Sequence, residues 1–242
     1  MKTVSEEKTF LSAEWRDLAM LNYDVDPDFL SEFIPDGTEL DCWSGKALVS
    51  LVGFRFLKTK ICGISVPFHR NFDEVNLRFY VRRRVGSEAR RGVVFIKEIV
   101  PRRAIAALAR WVYNERYVAL PMNHQVKAGE SDLSVEYAWR SGIGWNRLRM
   151  TSEGTPELPT QGSEEQFVTE HYWGYSKQMD GRTTEYRVAH PCWRVWSGCK
   201  ASFEGDVTKL YGQELASVLA RHPSSAFLAE GSAVTVFRGR RI

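Results

Sequence analysis

From position 74 to 81 the chain alternates strictly. Val75, Leu77, Phe79 and Val81 are apolar, and Glu74, Asn76, Arg78 and Tyr80 all form hydrogen bonds. Period-two alternation predicts a strand with one apolar face. Its other face carries a carboxylate, an amide, a guanidinium and a phenol in one row, preceded by His69, Arg70 and Asn71. Such a row is either an ordinary polar face or the wall of a polar pocket. Residues 93–100 read as the next strand, antiparallel to 75–81. Within it Lys97 alternates with Val93, Phe95 and Ile99, and Glu98 with Val94, Ile96 and Val100. One of these two charges must therefore point toward a buried face, where a partner such as Arg78 or Arg55 is expected.

The same patterns organise the rest. Residues 10–23 read as a strand after a short arm. Asp26 and Pro27 open a short helix whose apolar side is Phe29, Leu30 and Phe33. Residues 39–43 and 46–57 read as a hairpin about Ser44 and Gly45. Its second strand is apolar on both faces, apart from Arg55, and Gly53 signals a bulge or a close backbone approach. Residues 102–113 have Ile105, Leu108, Ala109 and Val112 at helical spacing, with Asn114 as terminator. Segments 117–122, 133–139 and 145–150 are extended, and 151–166 is a long loop. Residues 167–175 and 183–188 form a second hairpin. A helix runs from Asp206 to Ala220, and two last strands, 227–229 and 233–237, join at Glu230 and Gly231. Two long helices, beside the short one, and about ten short strands predict an α+β, mostly antiparallel β protein.

Composition narrows the function classes. The 242 residues are 43% hydrophobic, 26% charged and 12% aromatic, which suits a globular chain rich in β-structure. A net charge of +3 is too mild for a nucleic-acid binder. The arginine groups at 82–84, 90–91, 102–103 and 238–241 sit at element edges. Four cysteines at irregular spacing read as reduced thiols, and five scattered histidines give no metal-ligand spacing, so no metal or cofactor is expected. The polar first ten residues and the lack of an 18-residue apolar run predict a cytoplasmic protein with no membrane span. A homo-oligomer stays open.

The blocks EWRDLAMLNY, VSLVGFRF, PFHRNFDEVNLRFYVRR, GVVFIKEIVPRRAIAALARWVYNERYVALPM, EHYWGY and AEGSAVTVF together resemble the YqjF-like proteins, the uncharacterised DUF2071 family. The resemblance covers nearly the whole chain. It implies a single domain, 1–242, with the acetoacetate-decarboxylase-like fold: a closed antiparallel β-barrel or cone with a few peripheral helices. By likeness to the decarboxylases themselves, Glu74 occupies the place of an active-site carboxylate. Those enzymes carry a Lys-Lys pair after the helix, and the first lysine forms a Schiff base with the keto acid. Here Tyr117 and Val118 fall there, and no lysine lies between Arg102 and Met122.

The expected function is therefore binding, or transformation without a Schiff base, of a small organic acid or carbonyl compound in the cone. Glu74, Arg78 and Tyr117 are its first contacts, with Arg55, Asn76 and Tyr80 behind them and Tyr113 at the helix end. Arg78 suits a carboxylate because a guanidinium meets one bidentately. One alternative is a decarboxylase, dehydratase or aldolase using Lys97 as its amine, which requires that amine to be neutral near pH 7. Another is a non-catalytic interaction protein acting through its arginine edges.

Overall fold

In the computed structural model, which describes residues 7–129, 132–142 and 144–242, strands dominate. In chain order they begin with β1 (Thr9–Val25), β2 (Glu39–Leu40), β3 (Ala47–Ile61), β4 (Phe72–Val85) and β5 (Glu88–Val100). Helix α1 (Arg103–Tyr113) follows, then β6 (Tyr117–Ala119), β7 (Met122–Ala128), β8 (Asp132–Ser141) and β9 (Gly144–Glu153). Next come α2 (Glu164–Thr169), β10 (Trp173–Lys177), β11 (Thr183–Ala189), β12 (Val195–Trp196) and β13 (Lys200–Glu204). The chain ends with α3 (Thr208–Leu219), β14 (Ser225–Phe237) and β15 (Arg240–Arg241). A 3₁₀ helix, Pro27–Phe33, sits between β1 and β2, and Asp26 caps it by accepting from the Asp28 amide at 3.0 Å.

The main sheet runs β12-β14-β1-β3-β4-β5-β10-β11-β15. β11 also pairs with β14, through Val188 with Val236 and Ala189 with Thr235. Each strand from β14 through β1, β3, β4, β5 and β10 to β11 thus has a neighbour on both sides, and the path returns to its start. A second sheet, β13-β9-β8-β7, packs on one face of the first. There Val75, Leu77 and Phe79 of β4 meet Tyr137, Trp139, Leu148 and Met150, with Leu215 and Val218 of α3. The other face of β4 is buried as well, in a second core holding Phe54, Phe56, Phe72, Phe167 and Trp193. Glu74, Asn76, Arg78 and Tyr80 point to that side, and each is at most 8% exposed. The polar row is thus interior.

Several expectations hold and several change. The antiparallel pairing of 75–81 with 93–100 is present, as is the β10–β11 hairpin. Asn114 ends α1 in the left-handed conformation, φ 54°. Gly53 is a close approach, since a Cβ there would lie 2.6 Å from the Tyr137 ring. The hairpin at 39–57 shrinks to one bridge, Trp43 with Lys46, because β2 pairs with β4 instead. Residues 164–169 are helical, not loop and strand. Ser163 caps that turn by accepting from the Gln166 amide at 3.2 Å, with Glu164 and Glu165 favouring the helix N-terminus. The last two strands are one, β14, running past Gly231. That glycine, φ 74°, lets the backbone of Trp15 approach so closely that a Cβ would sit 2.0 Å from its carbonyl oxygen.

Candidate functional site

Strand register assembles the site. Asn76 on β4 lies opposite Glu98 on β5, and Glu98 lies beside Tyr117 on the parallel strand β6. α1 is the crossover between β5 and β6. Its left-handed stop at Asn114 turns the chain so that Glu115, two residues before Tyr117, also points inward. Glu98, Glu115 and Tyr117, with Glu74 beside Asn76, line one part of a cavity of about 120 Å³. Elsewhere the wall is mostly apolar: Trp15, Phe56, Phe72, Phe95, Ile105 and Leu108. Glu74, Glu98, Glu115, Tyr117 and Tyr186 form its polar end, and no lysine or arginine lines it among the described residues.

Glu74 is held from two sides. Asn76 Nδ2 donates to its Oε1 at 3.0 Å, and the Tyr117 hydroxyl donates to its Oε2 at 3.0 Å. The Tyr186 hydroxyl donates to Glu115 Oε1 at 3.0 Å. Glu98 Oε2 is buried and meets no hydrogen-bond partner among the described residues. Burial pushes all three carboxyls up, because a low-dielectric site disfavours the charged form. Glu74 rises to about 7; the amide, the phenol and the nearby Arg78 charge limit the rise. Glu115 rises to about 8, with the Glu74 charge adding to burial. Glu98 stands well above the ordinary range, through burial and then the charges of Glu115 and Glu74. The same burial, with Glu74 and Glu98 beside it, keeps Tyr117 a neutral phenol.

The other expected residues go elsewhere. Arg78 and Tyr80 share the face of Glu74 but lie outside the cavity wall, where side chains fill the space. The Arg78 guanidinium lies 5.7 Å from the Tyr80 ring centroid and donates to the Val168 carbonyl at 3.4 Å. The Tyr80 hydroxyl is 2.6 Å from Ser50 Oγ, and its ring packs 4.7 Å from that of His171. Burial drives His171 down to about 4, so it is neutral at pH 7. Arg55 is on the opposite sheet face and pairs with Asp17. Lys97 also points away from the cavity, its amine donating to the Leu210 carbonyl of α3. A bulge at β5, between the pairs of Leu77 and Arg78, accompanies this split: Glu98 faces the cavity and Lys97 the α3 side. Neither pairs with Arg78 or Arg55. Burial and then the Arg116 charge lower the Lys97 pKa, which favours a neutral amine, but on the wrong face for the carboxyls. The side chain of Tyr113 lies outside the described residues.

Glu98 had a signal in the sequence, a carboxylate alternating with Val94, Ile96 and Val100. Glu115 had a weaker one, its i, i+2 spacing from Tyr117 in an extended segment. Tyr186 and Trp15 had none, because only the pairing of both β11 and β1 with β14 brings them to the same cavity. Among the described residues no group of three His, Cys, Asp or Glu side chains is placed to hold a metal ion.

The model of the DUF2071 family, described as an uncharacterized conserved protein, matches residues 12–233. No curated protein matches the chain in sequence. The solved structures that share its fold include these three. Acetoacetate decarboxylase from Legionella pneumophila is 15% identical with a TM-score of 0.68, over 100% of this chain and 92% of that one. The enduracididine biosynthesis enzyme MppR, complexed with pyruvate, is 12% identical with a TM-score of 0.67, over 99% and 93%. An acetoacetate decarboxylase-like enzyme from Sphingomonas wittichii is 12% identical with a TM-score of 0.61, over 100% and 96%. No helix among the described residues is long and apolar enough to cross a membrane.

Proposed function

The chain belongs to the DUF2071 family, and we propose that it binds a small neutral carbonyl compound and moves a proton on it without forming an imine. In this reading the whole chain is one domain and the ring of strands is the closed cone of the decarboxylase-like fold. The return pairing of β11 to β14 supports that closure. The observation that carries the chemistry is the polar end of the cavity, where three buried carboxyls and two phenols stand with no amine among them.

The environments separate an acid from a base. Glu74, raised to about 7 and held by Asn76 and Tyr117, is partly ionised at neutrality and serves as the base. Glu98 stays protonated, and its free Oε2 presents the proton to a carbonyl oxygen. A carboxylic acid kept neutral by an apolar site can donate a hydrogen bond at pH 7. Glu74 removes a proton from the carbon next to the carbonyl, that C–H pair becomes the enol double bond, and the carbonyl oxygen takes the Glu98 proton. Return of a solvent-exchanged proton from Glu74 to that carbon, with the enol O–H proton going back to Glu98 as the C=O reforms, completes an exchange. In an unsaturated ketone, delivery to the far carbon of the dienol completes a shift of the double bond. An anionic acid is disfavoured as ligand, because the wall sets three carboxyls together with no lysine or arginine among the described residues. The ketone or aldehyde is therefore preferred to the organic acid. MppR, with the same fold, is complexed with pyruvate; here His69 is the one basic side chain among the described wall residues.

Incubation of the protein in D₂O with a panel of small ketones and aldehydes tests this by proton NMR. The expected result is loss of α-proton signal for at least one member, abolished in Glu74→Gln, while circular dichroism stays that of the native fold. Exchange that survives in Glu74→Gln, or a borohydride-trapped adduct on any lysine, overturns it.

A further inference from the structure

Two further polar atoms in the cavity wall lie apart from the carboxyls. Trp15 Nε1 and Thr59 Oγ1 are both buried, and neither meets a hydrogen-bond partner among the described residues. Thr59 is 95% buried, its side chain set on the last turn of β3 before the strand ends at Ile61. Trp15 is fixed by edge-on packing against Phe54, Phe56 and Trp193, at 5.4, 5.6 and 6.2 Å between ring centroids. That packing leaves its indole N–H no freedom to seek a partner elsewhere. A buried donor left unpaired costs about 1–3 kcal/mol, and two in one cavity wall mark a place where an acceptor belongs.

Register puts this pair at a different level from the carboxyls. Trp15 lies opposite Phe56, and Phe56 opposite Phe72. Asn76, level with Glu98, is four residues further along β4, about 13 Å of strand. Glu74 comes halfway between the two levels on β4, Phe56 and Phe72 line the wall at the Trp15 level, and Phe95 lies beyond Glu98, opposite Arg78. The cavity therefore has two polar poles, the carboxyls and the Trp15–Thr59 pair, set among aromatic rings.

We propose that the ligand carries two oxygen acceptors joined by an apolar spacer. One is the carbonyl at Glu98 and Glu74, and the other, a keto or hydroxyl oxygen, accepts from Trp15 Nε1 and Thr59 Oγ1. This rests on the proton-transfer reading for the first pole and adds the second, which sets substrate length. Trp15 and Thr59 are specificity residues, not catalytic ones, because they touch the end of the molecule that does not react.

A matched series separates the two ideas. Linear diones from 2,4-pentanedione to 2,8-nonanedione are compared with the 2-alkanones of equal carbon number, by calorimetry or ligand-detected NMR. At least one dione is expected to bind about five- to tenfold more tightly than its alkanone, the gain of one to two hydrogen bonds. Thr59→Val and Trp15→Phe each reduce that gain while alkanone affinity stays within about twofold, and Thr59→Ser, which keeps the hydroxyl, restores it. Alkanone binding with no dione advantage at any length overturns the second pole alone. An advantage that persists in both Thr59→Val and Trp15→Phe does the same. Failure of every ketone to bind overturns both readings.

Discussion

Glu185 and the three cavity glutamates are all buried, Glu115 just before β6 and the others on strands of the main sheet, and their surroundings send them in opposite directions. Glu185 on β11 has no side-chain exposure, and Arg83, Arg90 and Arg240 reach it at 3.0, 2.9 and 2.7 Å. Burial pulls its pKa up, but the hydrogen bonds and charges of the three guanidiniums outweigh burial and hold it below the ordinary range. Glu74, Glu98 and Glu115 are as deeply buried with no guanidinium on them. They share two phenols and one amide, and burial wins. A buried carboxylate with three cations is finished structure. Three carboxyls facing a cavity together are held protonated near neutrality, and one partly deprotonated at pH 7 is suited to proton transfer.

Neutralising the structural glutamate has the largest expected effect. Glu185→Gln leaves three arginines around an uncharged amide and costs about 3 kcal/mol in denaturant unfolding, the low end for breaking a buried pair because Arg240 reaches solvent. The corresponding Glu115→Gln in the cavity costs little and above pH 8 is stabilising.

Stability against pH is the next contrast. Glu74 and Glu115 have folded pKa values above their unfolded ones, so their contribution is complete at low pH and is lost as pH rises through about 7 and about 8. Glu185 works the other way, and its contribution is lost only as pH falls below the ordinary glutamate range. Below pH 6.5 the buried neutral His171 works against this trend, because its unfolded form takes up a proton there. The contrast is therefore read between pH 6.5 and pH 8, where we expect Tm to fall by about 5 °C, or ~2 kcal/mol for a chain of this size. Glu74→Gln with Glu115→Gln flattens that slope. A Tm that rises across the interval would contradict the cavity assignment.

How far was this contrast legible in the chain? Strict alternation from Glu74 to Val81 gave the strand, its neighbour and the residues of one polar row. The resemblance singled out Glu74 and noted tyrosine where the decarboxylases have lysine. Alternation does not say whether a polar row is wet, and here it is interior along its whole length. It also cannot divide the row, so Arg78 and Tyr80 were grouped with Glu74, although His171, Phe167 and Val168 fill the space around them. Phe167 and Val168 come from α2, a six-residue helix hidden in a loop-like segment whose cap, Ser163, is the readable sign, and His171 follows two residues after it. Arg55 and Lys97 escape the pattern for a simpler reason. Each lies on the opposite sheet face, and the bulge in β5 adds a residue between Arg78 and Lys97 that pattern counting does not see. Trp15, Tyr186 and Glu185 belong to strands brought round by the return pairing, which leaves no local mark.

Smaller effects sharpen the site itself. Tyr117→Phe removes the donor that lowers the Glu74 pKa, so the alkaline-going limb of the exchange rate shifts to higher pH by about one unit or less. A shift to lower pH would show that Tyr117 does not hold the base. Smallest of all is Lys97→Met, which loses one hydrogen bond to Leu210 on the far face. Proton exchange is expected to stay within about twofold of native and stability within about 1 kcal/mol. Loss of activity in Lys97→Met would revive the amine route.

The most direct test is a ¹³C NMR titration of protein labelled at the glutamate δ-carbons. The account predicts carboxyl signals that titrate at about 7 and about 8, one that stays protonated above them, and their assignment by Glu74→Gln, Glu115→Gln and Glu98→Gln. Glu185 should stay ionised until well into the acid range. If every glutamate titrates below pH 5, the cavity carboxyls are ionised at neutrality, and no acid is left in the cavity to protonate a carbonyl.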